Sequence, residues 1–171
     1  MNEYKLVAIS ITDVQEIPID IKNRMESEGK VLNPPRYTTQ LPNGAKQEFE
    51  HDAQSIQDTN TSESERVLWE KYQKDSLQYD QEVQKQTMRY TLYRGVECEI
   101  PEGWQAERAA FGLSIPDNPI DLKVKYILSE IAKTPDDIQK LFLSIMRISA
   151  KGVDEQKIKA AEATFRNQKG S

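Results

Sequence analysis

Residues 63–94 hold neither glycine nor proline, and a stretch of that length without a breaker predicts one helix of about 48 Å at 1.5 Å per residue. The segment also carries a heptad-like stripe. Trp69, Ser76, Val83 and Tyr90 share one seam position and Tyr72, Tyr79, Gln86 and Tyr93 the other, and six of these eight are large and apolar or aromatic. Aromatic rings in place of Leu and Ile pack irregularly, which favours docking on the rest of the chain or on a partner over a uniform two-stranded zipper. A long helix must bury one side, so core is one role for the stripe. The other is a seam for a second protein, because Tyr and Trp give large contact area with little rotamer entropy lost and keep a polar tip. On that reading Trp69, Tyr72, Tyr79, Val83, Tyr90 and Tyr93 are the candidate protein-binding residues. Gly95 then predicts a left-handed cap that closes the helix.

The chain before this helix reads as a β-rich region over residues 1–50. In YKLVAISI, residues 4–11, β-branched and apolar side chains run together as in a buried strand, and over residues 16–22 Ile17, Ile19 and Ile21 alternate with Glu16, Pro18, Asp20 and Lys22. With Asp13 between them these two segments predict a hairpin, Pro18 placing the second on an edge. A second hairpin is signalled by Leu41-Pro42-Asn43-Gly44, since Asn and Gly accept the positive φ of a tight turn, and residues 37–40 and 46–50 flank it. Residues 51–64, HDAQSIQDTNTSES, are small or polar apart from Ile56 and predict a linker. The linker ends in Ser62 with Glu65 three residues on, a capping-box signal.

After the long helix, residues 96–100 predict a short extended piece ended by Pro101, and residues 104–111 a short helix closed by Gly112. Asn118-Pro119, Thr134-Pro135 with Asp137, and Asp154 after Gly152 each mark a helix start. Their apolar faces are Ile120, Val124, Ile127, Leu128 and Ile131, then Ile138, Leu141, Phe142, Ile145 and Ile148, then Ile158, Ala161 and Phe165. The expected fold class is α+β, with a small N-terminal β-hairpin region, a long helix and a C-terminal helical bundle. Residues 65–169 form the helical domain, with the bundle over 104–167.

No catalytic or metal-binding constellation converges in this pattern. His51 stands between Glu50 and Asp52, but three adjacent extended residues point alternately to opposite faces. Cys98, the one cysteine, sits between Glu97 and Glu99, whose charges disfavour a thiolate. Asp136 and Asp137, with Glu130 upstream, suit a helix N-terminus. No glycine-rich phosphate loop occurs, and the basic residues Lys123, Lys125, Lys133, Lys140 and Arg147 are interspersed with acids. The expectation is a protein without enzyme activity, cofactor or metal.

Composition narrows the partners. Of 171 residues 37% are hydrophobic and 30% charged, with 23 Lys and Arg against 28 Asp and Glu for a net charge of −5, and the mean hydropathy is −0.74. An acidic, wet chain of this length argues for a modest core and against a hold on nucleic acid or anionic membrane. A single cysteine and no apolar stretch of membrane-spanning length fit a soluble, unexported protein of a reducing cytosol.

Four phrases carry a resemblance: LWEKY at residues 68–72, RGVECEIPEGW at 94–104, LKVKYILSEIAKTPDDIQKLFLSIMRIS at 122–149 and GVDEQKIKAAEATF at 152–165. Together they resemble small proteins encoded among bacteriophage and prophage tail-morphogenesis genes, the tail assembly chaperones. The likeness spans residues 62–167 and leaves the N-terminal third unmatched. It implies a protein that binds the aggregation-prone tape measure protein and recruits tail tube subunits, acts in the host cell cytoplasm and is lost before the virion matures. The alternative is a structural subunit of the virion, in the tail, baseplate or connector. Homo-oligomerisation is compatible with either, and no site residue comes with the resemblance.

Overall fold

The computed structural model describes residues 3–50 and 63–150. The linker assigned to residues 51–64 falls outside them except for Glu63 and Ser64, as do His51, Ser62 of the capping signal, and the third C-terminal helix with Ile158, Ala161 and Phe165. The elements are β1 Tyr4–Leu6, α1 Ile11–Ser27, β2 Arg36–Gln40, β3 Lys46–Glu50, α2 Glu63–Gly95, β4 Val96–Cys98, α3 Trp104–Ala110, α4 Pro119–Tyr126 and α5 Pro135–Ser149, with a π-helical turn Ile127–Ile131 continuing α4. Helix exceeds strand, and the chain is α+β as its pattern predicts. The hairpin β2–β3 pairs Arg36 with Glu50 through Gln40 with Lys46 around the Asn43-Gly44 turn, where Gly44 has φ of +83°.

The hairpin expected between residues 4–11 and 16–22 does not form. Residues 16–22 lie inside α1. The alternation of Ile17, Ile19 and Ile21 is a local coincidence within a longer helical repeat, since Ile11, Val14, Pro18, Ile21 and Met25 are spaced three or four apart and Ile21 and Met25 are buried while Ile19 is exposed. Ser10 starts the helix, its hydroxyl accepting from Asp13 N–H at 3.3 Å. Pro18 has no N–H to give the Val14 carbonyl. Gly29, at φ +74°, ends the helix, with Lys30 N–H returning to Met25 O at 3.0 Å and Gly29 N–H to Glu26 O at 3.0 Å.

The true partner of β1 is β4, antiparallel, with Tyr4 opposite Cys98 and Leu6 opposite Val96. Gly95 is likewise not a left-handed cap; positive φ occurs at Gly29, Gly44, Gly103 and Gly112. The glycine at 95 is needed for space instead. A Cβ there would stand 2.8 Å from Ile145 Cδ1, and the Gly95 carbonyl accepts from Val7 N–H at 2.9 Å.

Two compact units are present, one from Met1–Gln15 and Lys85–Ser171, the other from Glu16–Gln84. The first has a core of Ile9, Leu92, Val96, Val124, Ile127, Ala132, Leu141 and Ile145. Local caps set its helices: Asn118 Oδ1 accepts from Ile120 N–H at 2.8 Å, and Thr134 and Asp137 form a reciprocal capping box. Ile9 N–H donates to Ser149 Oγ at 2.8 Å, tying the entry to α1 onto α5, and Arg89 Nε donates to Asp121 Oδ1 at 2.6 Å.

The second unit holds the rest of α1, the hairpin and the first part of α2. Trp69 is buried there with Ile21 and Met25. So is Asp75, a buried carboxylate made tolerable by two donors: Val31 N–H at 3.0 Å and Lys71 Nζ at 2.9 Å. Lys71 Nζ also donates to Gly29 O at 3.2 Å.

Candidate protein-binding surfaces

The aromatic stripe of α2 is used within each unit. In the second, Trp69 is buried with its ring 5.2 Å from that of Tyr72, and Tyr72, Tyr79 and Val83 are half-buried. Tyr79 Oη donates to Pro18 O at 3.3 Å, and burial raises the phenol's pKa above its ordinary value. In the first unit, Tyr90 and Tyr93 are half-buried against the core. Tyr90 Oη donates to Asp13 Oδ2 at 2.6 Å; burial and then this carboxylate push its pKa up. Lys123 Nζ lies 5.1 Å from the centre of the Tyr93 ring and donates to Tyr93 O at 2.9 Å.

The other groups weighed for chemistry have separate structural partners. Cys98 is half-buried in β4, and burial raises its thiol pKa, Lys123 opposing. Glu130 accepts from Trp104 Nε1 at 3.1 Å, while Asp137 serves the cap of α5. Hydrogen bonds from Thr134 hold the Asp137 carboxyl below its usual range. Glu50 pairs with Arg36 at 2.7 Å. Among the described residues no group of three His, Cys, Asp or Glu could hold a metal ion. A recess of about 200 Å³ between β1 and α5 is lined by Tyr4, Leu6, Ile131, Lys140 and Leu141 among others.

The most exposed large apolar side chain among the described residues is one the sequence pattern did not single out. Phe111 is 76% exposed and Leu113, two residues on, 47%. They flank Gly112, whose φ of +69° closes α3: Gly112 N–H returns to Ala109 O at 2.9 Å and Leu113 N–H to Arg108 O at 3.0 Å. This cap fixes the backbone that carries both side chains. The helix beneath is anchored by Trp104, buried, edge-on to Tyr126 with ring centres 5.2 Å apart, and covered by the Arg108 guanidinium 4.9 Å from its ring. A signal was available, since a glycine that closes a helix between two large apolar residues leaves at least one past the end of the buried face. No helix of the described residues is long and apolar enough to cross a membrane.

Comparison with protein-family models, with curated proteins and with solved structures finds no match to this chain.

Proposed function

We propose that this chain works by binding other proteins and carries out no chemistry of its own, as a bacteriophage tail assembly chaperone that engages the tape measure protein, tail tube subunits or both. One observation carries the binding role: Phe111 and Leu113 stand in water on a backbone held by the Gly112 cap. A large ring kept exposed on an ordered scaffold loses little conformational entropy when a partner covers it, which makes it suited to be an anchor. The tail-assembly role is supported by the four phrases of residues 62–167.

Co-expression with the tape measure protein of the same phage tests it. The wild-type chain is expected to co-purify with that protein and keep it soluble, and Phe111→Ser to lose most of the capture with an unchanged melting temperature. Mass spectrometry of purified virions separates chaperone from structural subunit: the chaperone accumulates in infected cells and is absent from virions, whereas stoichiometric copies in the particle would establish a tail, baseplate or connector component instead.

A further inference from the structure

A second stripe runs along the outer side of α2 in the unit Glu16–Gln84. Val67, Glu70, Lys74 and Leu77 follow one another at intervals of three, four and three residues, which aligns them along a helix. Val67 is 55% and Leu77 60% exposed, and Glu70 and Lys74 between them are exposed as well. Lys74 makes no ion pair with a described residue. Glu70 stands 4.0 Å from Arg66, which is held more closely by Glu63 at 2.8 Å.

This pattern is its own complement when reversed. Turned end for end about a two-fold axis at the level of residue 72, it sets Val67 against Leu77 and Glu70 against Lys74, and the symmetry makes each pairing twice. A parallel pairing in register would oppose Glu70 to Glu70 and Lys74 to Lys74. We infer that the Val67, Glu70, Lys74 and Leu77 face of α2 receives the same face of a second copy of this chain, antiparallel, as an isologous dimer contact. Four apolar side chains form its dry ends and two ion pairs fix its orientation. The contact is small, so the dimer is reversible and forms with rising concentration. It is independent of the tail-assembly reading and is measured on the purified chain alone.

Sedimentation equilibrium of the full chain tests it, with Glu70→Lys and Lys74→Glu made singly, together, and as an equimolar mixture of the two single variants. Each single reversal puts like charges in both middle layers and is expected to weaken association by about tenfold or more. The double variant and the mixture each restore Lys against Glu in both layers and are expected to return to wild-type association. All four samples should melt with the wild type, since the positions are exposed. A wild-type chain that stays monomeric at every concentration, a dimer indifferent to the single reversals, or a mixture as weak as its components would overturn the inference.

Discussion

Gly95 and Ile145 approach so closely that a side chain on the glycine has nowhere to go. An added Cβ would lie 2.8 Å from Ile145 Cδ1 and closer still to Cγ2, which sits on the stiff β-branch, and Ile145 is wholly buried among Leu92, Val96 and Leu141. Gly95→Ala is therefore expected to destabilise the fold by about 1–3 kcal/mol, despite the better helix propensity of alanine. Denaturant unfolding checks this, and a variant as stable as wild type would mean that Ile145 can move aside.

Tyr79 is half-buried with its hydroxyl on the Pro18 carbonyl. Tyr79→Phe should cost about 0.5–1.5 kcal/mol and Tyr79→Ala about 2–3 kcal/mol of stability, the second including the ring's lost contacts. If Tyr79→Ala leaves the melting temperature unchanged and removes partner capture, the ring belongs to a partner seam and its contact with α1 adds little.

Asp75 has a folded pKa below the ordinary carboxylate value, chiefly through the hydrogen bond from Lys71, with burial opposing and the Val31 N–H assisting. A carboxylate depressed in this way adds stability that is complete above its unfolded pKa and is lost as pH falls through its folded pKa. Asp137, lowered by its bonds with Thr134, acts in the same direction. Stability should thus decline on acidification below the ordinary carboxylate range. Asp75→Asn should be less stable than wild type at neutral pH and converge with it in acid; parallel curves would show that Asp75 does not titrate differently on folding.

Cys98 should alkylate slowly. Burial raises its thiol pKa and the side chain is half-covered, so at neutral pH iodoacetamide is expected to react with the native protein more slowly than with a free-cysteine peptide, and at the peptide rate once denaturant is added. Equal rates in both states would mean that β4 opens freely from β1.

Where the sequence pattern was readable, the deciding interactions were short. The breaker-free run gives α2, Asn43-Gly44 gives the β2–β3 turn, and Asn118-Pro119 and Thr134-Pro135 with Asp137 start α4 and α5, because a turn or cap is settled by groups three or four residues apart. The candidate residues of the aromatic stripe were visible as a stripe, yet the hydrogen-bond partners of Tyr79 and Tyr90, Pro18 and Asp13, were not, since both lie on α1, where the local pattern reads Pro18 as part of a strand and Asp13 as the turn before it. Tertiary structure alone decided the pairing of Tyr4 with Cys98, the hydrogen bond of buried Asp75 with Val31, and the use of Gly95 for space in place of handedness. Each of these joins residues many tens of positions apart, where no local spacing carries the information. The chain must close a long loop before each contact exists, and what repays that closure is the burial of apolar side chains, Ile9, Leu92, Ile127 and Ile145 in the core of the first unit and Ile21, Met25 and Trp69 in the second.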